Sequence, residues 1–206
     1  MDRTLTVQIE GTNATIMHNG RGANPRDPIA VLIKAITKKR QKQETDFDMI
    51  EKLEWAQGLY TTAPLTVTVD GEDVTLDCKG AICWPAPNLQ AGIVAAAKNL
   101  KQGASVKKGL LVTTDMILNH NGPKDFNALA ADPSFRDVRS VKVQRATVMR
   151  CRPIFPEWTG KFSLHYSSQV FDRAQLEQIL GLMGEMVGLS DYRPYFGRFI
   201  VKAVSE

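Results

Sequence analysis

The chain has 206 residues, 43% apolar and 23% charged, a balance that excludes a disordered tail and supplies material for a folded core. No apolar run approaches the ~20 residues that cross a bilayer, and Met1-Asp2-Arg3-Thr4 lacks the apolar stretch of a secretory leader, so a cytoplasmic protein with no membrane partner is expected. Lys and Arg number 26 against 22 Asp and Glu, and the net charge of +4 is too small to identify a polyanion binder by itself.

Leu5, Val7 and Ile9 alternate with Thr4, Thr6 and Gln8, the two-residue period of a half-buried strand, and a second short strand fits 14–17. The stretch 18–26 is rich in Gly, Asn and Pro, which tolerate positive φ or supply no ladder donor, and reads as a loop carrying Arg21 and Arg26. Asp27-Pro28 is an N-cap with proline at the first helical position, followed by Ile29, Leu32, Ile33 and Ile36 at helical spacing. Lys38-Lys39-Arg40 ends that helix, an exposed connection runs to Thr45, and Asp46 is expected to cap a second helix that turns Ile50, Leu53 and Trp55 inward.

Asp70-Gly71 between the β-rich runs 66–69 and 74–76 signals a hairpin, read as part of an insertion at about 38–84 in a single domain. Pro85 and Pro87 punctuate a loop, Ile93, Val94, Ala97 and Leu100 define a helix of about four turns, and a strand is expected at 109–113. From 138 to 152, β-branched residues predict two strands or one bulged strand. Val141 and Val143 face one way there, Lys142 and Gln144 the other, and Arg150 and Arg152 share a face. Pro153 and Pro156 bend the chain before Phe162, Leu164 and Tyr166 alternate with Lys161, Ser163 and His165.

Asp172 and Gln175 have capping-box spacing, Leu176, Ile179, Leu180, Met183 and Val187 form an apolar stripe, and Gly188 falls where a left-handed C-cap belongs. A loop over 189–197 and a terminal strand over 199–204 finish the chain. Strand, helix, loop and strand in this order make half of a ferredoxin-like unit, so the expected fold class is α+β, a ferredoxin-like antiparallel sheet with an inserted β-hairpin and helices.

Three cysteines form an odd set, and Cys78 and Cys83 are spaced more widely than a zinc knuckle requires, so Cys78, Cys83 and Cys151 read as reduced, mostly buried thiols. There is no Walker loop, dinucleotide fingerprint, nucleophile elbow or paired-histidine zinc motif, which predicts a non-enzymatic protein without metal or cofactor. His18 and His120 in predicted loops and His165 on a polar strand face show no catalytic partner, and they leave a metal-independent ribonuclease as the weaker alternative.

The stretch Gly188-Leu189-Ser190-Asp191-Tyr192-Arg193-Pro194-Tyr195-Phe196-Gly197-Arg198-Phe199 resembles the glycine-containing loop between the last helix and last strand of the RAMP superfamily. That superfamily comprises RRM-like, ferredoxin-like RNA-binding proteins, including backbone subunits of CRISPR effector complexes. The chain as a whole resembles uncharacterised proteins of tailed bacteriophages through Met17-His18-Asn19-Gly20, Val148-Met149-Arg150, Arg152-Pro153-Ile154-Phe155-Pro156 and Asp191-Tyr192-Arg193-Pro194. Together these likenesses imply a phage protein on a RAMP-like scaffold acting in a bacterial host cytoplasm.

On that reading the partner is single-stranded RNA or DNA. Arg21, Arg26, Lys142, Arg150, Arg152, Arg193 and Arg198 would contact phosphates, with Tyr192 and Tyr195 as candidate stackers and a homo-oligomer assembling along the strand. Each group also has a plainer explanation. Lys38-Lys39-Arg40-Lys42 offsets a helix dipole, Arg150 and Arg152 pair with carboxylates on a neighbouring strand, and the aromatics of 189–197 close a core. Further lysines gather at Lys98, Lys101, Lys107 and Lys108, within a stretch where acidic residues are sparse. The alternative function is a phage anti-defence protein that mimics or blocks a subunit of a host defence complex through protein contacts.

Overall fold

The computed structural model describes residues 1–143 and 146–205, with only the backbone described at Val143 and Ala146. The reading placed on Gln144 and the side-chain direction expected of Val143 therefore lie outside the described residues. In chain order the elements are β1 (Arg3–Gly11), β2 (Thr15–Ile16), a 3-10 turn (Gly20–Ala23), α1 (Pro28–Thr37), α2 (Glu44–Gly58), β3 (Thr66–Asp70) and β4 (Asp73–Asp77). Next come β5 (Cys83–Trp84), α3 (Ala86–Lys98), α4 (Gly103–Gly109), β6 (Leu110–Val112), β7 (Met116–His120), α5 (Phe126–Ala131) and a second 3-10 turn (Pro133–Phe135). The chain ends with β8 (Arg136–Val143), β9 (Ala146–Phe155), β10 (Trp158–Tyr166), α6 (Arg173–Leu182), a π-helical turn (Met183–Val187) and β11 (Phe199–Ser205). The protein is α+β, and every strand pair with a described register is antiparallel.

Internal contacts divide the chain into two units. Unit 1 comprises Met1–Thr15, Ile82–Asn121 and Pro156–Glu206, and unit 2 comprises Ile16–Ala81 and Gly122–Phe155. The sequence suggests an insertion at about 38–84; unit 2 begins earlier than that and takes in a second, distant segment.

Unit 1 is built on a sheet of order β11-β1-β10-β7-β5, with β6 also paired to β10. The period-two pattern seen in the sequence explains its two faces. Leu5, Val7 and Ile9 of β1 and Phe162, Leu164 and Tyr166 of β10 are fully buried, together with Leu89, Ile93 and Ala97 of α3 and Leu176, Ile179 and Leu180 of α6. The opposite face, with Thr6, Gln8, Lys161, Ser163 and His165, is half-buried or exposed. Asp172 accepts the Gln175 N–H at 2.8 Å while the Gln175 side chain accepts the Asp172 N–H at 3.0 Å, the reciprocal cap that the spacing predicts. The helix does not run in α geometry to Val187. It widens into a π turn after Leu182 and closes at Gly188, whose φ of 75° suits a residue without Cβ.

Unit 2 holds α1, α2, α5, the β3–β4 hairpin and the β8–β9 hairpin. Asp27 caps α1 through the Ile29 and Ala30 N–H groups at 3.0 and 3.3 Å, as expected. Asp46 is not the N-cap of α2. The helix starts at Glu44, Gln43 is the cap, and Asp46 sits at the third helical position, where its carboxylate accepts the Gln43 N–H at 3.0 Å and the Lys39 ammonium at 2.5 Å. A carboxylate there reaches back to a donor that the helix cannot satisfy, so a short acidic side chain marks the first turn without fixing its first residue. Trp55 is fully buried and donates its indole N–H to the Phe135 carbonyl at 2.8 Å.

Four further features depart from the sequence-based expectation. Pro85 and Pro87 do not lie in a loop but open α3, where a missing N–H costs nothing. His120 does not lie in a loop but ends β7, opposite Trp158. That strand is hidden in the sequence because Met116, Ile117 and Leu118 are all apolar although Ile117 is exposed. The short helices α4 and α5 have too few turns to display a periodic stripe. Among the described residues no helix is long and apolar enough to cross a membrane.

Candidate nucleic-acid interface

The nine residues singled out in the sequence divide between the units, with Arg21, Arg26, Lys142, Arg150 and Arg152 in unit 2 and Tyr192, Arg193, Tyr195 and Arg198 in unit 1. In unit 2 most of the arginine charge is answered by carboxylates. Arg152 stands directly opposite Asp137 in the β8–β9 register and donates to it at 2.9 Å, with side chains only 8% and 5% exposed. Arg139 donates to the same carboxylate, Arg136 to Glu51, and Arg150 to Glu54, whose second oxygen accepts the Cys151 N–H at 2.9 Å. Arg21 pairs with Asp27 at 2.7 Å. Cross-strand pairing thus describes Arg152, because a guanidinium taken out of water needs a counter-charge within reach. Arg26 and Lys142 are exposed and make no ion pair among the described residues.

In unit 1 the loop from Ser190 to Arg198 is held from below and left open above. Asn13 organises it, its amide donating to the Tyr195 carbonyl at 2.6 Å and its side-chain oxygen accepting the Arg198 N–H at 2.8 Å. Gly197 has φ 78°, and a Cβ there would come within 2.1 Å of the Leu189 carbonyl oxygen, so the turn admits only glycine. Phe196 packs edge-on against Tyr192 and Tyr195 at centroid distances of 6.3 and 5.1 Å. This arrangement leaves Tyr192 54% and Tyr195 72% exposed, with Arg193 and Arg198 exposed beside them. Phe199 is buried, whereas Phe196, which the core reading of 189–197 includes, is half-buried.

A second basic feature of unit 1 was visible in the sequence only as a cluster of lysines. Two adjacent clefts, of about 540 and 300 Å3, share Lys98 and Lys107 in their walls, and Lys101 lines the smaller one. The floor of the larger is apolar, with Val94, Ala95, Leu110 and Leu111. The lysines converge because α3 ends in a tight reversal. Gln102 N–H reaches the Ala97 carbonyl at 2.9 Å, Lys101 N–H reaches that of Lys98 at 3.0 Å, and Lys101 takes a left-handed φ of 59°. Glycine is the usual occupant of such a position. Lys98, Lys101, Lys107 and Lys108 are all exposed and make no ion pair among the described residues.

The lysine clefts and the aromatic loop lie at opposite ends of β10. Tyr166 pairs with Leu110, just after Lys107 and Lys108, while the Trp158 indole donates to the Asn13 carbonyl at 2.9 Å. At about 3.3 Å per residue these ends are separated by roughly 26 Å. Lys161 and His165 are exposed on the strand between them. Among the described residues no group of three or more His, Cys, Asp or Glu could hold a metal ion. No known protein-family model matches the chain, and no curated protein sequence is significantly similar to it.

Proposed function

We propose that the chain is a non-enzymatic binder of single-stranded nucleic acid, built on a ferredoxin-like, RAMP-like unit and assembling side by side along the strand. Support for the fold comes from unit 1. Taking β1, α3, β6 with β7, β10, α6 and β11 in order, the strands lie as fourth, first, third and second, with α3 and the short α4 in the first crossover and α6 in the second. Gly188 and Gly197, both at left-handed φ, stand in the loop on which the likeness to the superfamily rests.

The observation that carries the function is the set of exposed cations in unit 1 that make no ion pair among the described residues: Lys98, Lys101, Lys107 and Lys108 at one end of β10, and Arg193 beside two exposed tyrosines at the other. Unpaired cations attract a polyanion at little desolvation cost, and exposed aromatic rings offer bases a stacking surface of any sequence. A strand laid between the two would pass Lys161 and His165.

Fluorescence anisotropy of a labelled oligo-uridine across a salt series tests this. Four lysines on phosphates predict a log–log salt slope of about −3 for a single strand. Tyr195→Ala should weaken binding by about 1–3 kcal/mol. No binding at low salt, or affinity indifferent to salt, refutes the reading.

A further inference from the structure

Unit 2 contains a cavity of about 550 Å3, within the ~300–1,000 Å3 of small-molecule sites, bounded by the 3-10 turn, α1, the end of α2 and β9. Its charged lining is Lys34, Lys38, Arg150 and Arg152 against the single carboxylate Glu54. Glu54 is already engaged by Arg150 and the Cys151 N–H. Arg152 is held by Asp137, which lies outside the cavity wall. Lys34 and Lys38 make no ion pair among the described residues, so the positive charge facing the cavity exceeds the negative.

The remaining wall carries the polar side chains of His18, Asn19, Thr37 and Gln57 beside three glycines and an apolar patch of Ala23, Ala30 and Ile33. Ala30, Ile33, Lys34, Thr37 and Lys38 recur at helical spacing, which puts two methyl-rich residues and two cations on one stripe of α1, with Ala23 across from them on the turn. Arg150, 43% exposed, gives Glu54 one nitrogen and keeps most of its N–H donors. Cys151 also lines the space, and burial pushes its thiol up to about 11, so it adds no thiolate charge to the wall.

We propose that this cavity binds a phosphate monoester, its phosphate held between Lys34, Lys38 and Arg150 and its organic body laid against Ala23, Ala30 and Ile33. Three cations around one opening suit a dianion better than a carboxylate, and the apolar stripe beside them suits an ester better than free phosphate. The same chemistry is carried by a free nucleoside monophosphate and by the terminal phosphate of a nucleic-acid strand.

Calorimetric titration of the full chain with AMP, adenosine and a trinucleotide bearing either a 5′-phosphate or a 5′-hydroxyl decides the matter. AMP should bind saturably at one site, with adenosine and the 5′-hydroxyl trinucleotide weaker by about ten-fold or more, since each loses charge-assisted hydrogen bonds. The 5′-phosphorylated trinucleotide binding as tightly as AMP assigns the site to strand ends, and its exclusion assigns it to free monoesters. The double variant Lys34→Ala/Lys38→Ala should lose about ten-fold or more in AMP affinity. Both side chains are exposed on α1, so its buried residues Ile29 and Ile36 are untouched. Lys98→Ala/Lys107→Ala in unit 1 should leave AMP binding unchanged, which separates this site from the nucleic-acid surface proposed above. Failure of AMP to bind at millimolar concentration, equal binding of adenosine, or full affinity in the lysine double variant overturns the proposal.

Discussion

Replacing Lys101 with glycine should make the protein more stable and, on the proposed function, a poorer binder of single strands. Lys101 holds φ at 59° in the reversal after α3, a conformation costing an L residue roughly 1–2 kcal/mol through its Cβ. Glycine is free of that cost but gives back roughly 0.5–1 kcal/mol in unfolded-state entropy. The lysine side chain is exposed and makes no ion pair among the described residues, so no compensating contact is lost. The net expectation for Lys101→Gly is a gain of about 0.5–1 kcal/mol, read as a rise in urea midpoint of a few tenths molar at an m-value of about 2 kcal/mol/M. Strained backbone kept by a residue other than glycine points to a use for the side chain. The same variant should therefore shed one phosphate contact and flatten the single-strand salt slope by about 0.7. A fall in stability would show that the reversal is not left-handed or that the lysine stem packs. An unchanged slope would remove Lys101 from the interface.

Asp137→Asn should cost about 3–5 kcal/mol, because it leaves the buried Arg152 guanidinium without its carboxylate. Lys202→Ala, which breaks the half-exposed pair with Glu10, should cost no more than about 1 kcal/mol. Urea unfolding followed on Trp55, in a Trp84→Phe/Trp158→Phe background, reports the Asp137 variant, and a loss there no larger than that of the exposed pair contradicts the assignment. Asp46 titrates below the usual 3.8, chiefly through the hydrogen bond from Lys39 and then through the Gln43 N–H. Its folded value being the lower one, the stability it contributes is complete above pH 3.8 and is lost as pH falls through the folded value. Asp46→Asn should remove that part of the acid limb, and a carboxyl carbon shift that titrates at or above 3.8 would contradict it.

Signals confined to a few neighbouring residues were legible in the sequence, because they act through the backbone at short range. Asp27-Pro28 opens α1, Asp70-Gly71 turns the β3–β4 hairpin with Gly71 at φ 60°, and Asp172, Gln175 and Gly188 bound the last helical segment. Alternation along β1 and β10 foretold which side chains are buried, since a strand has only two faces. The exposure of Tyr192 and Tyr195 was left open, and packing decided it through Phe196 and the brace from Asn13, which lies far away in the chain.

Only the tertiary structure could say which charges are free. Arg150 and Arg152 look like an open basic stripe in sequence, yet their carboxylates come from Glu54 and Asp137, brought across by α2 and by the facing strand. Conversely, Lys34 and Lys38 look like ordinary helix-surface lysines until the turn, the end of α2 and β9 enclose a cavity with them. Local conformation depends on neighbours a few positions away, whereas the fate of a charge depends on whatever the fold sets within several ångströms, which linear order does not disclose.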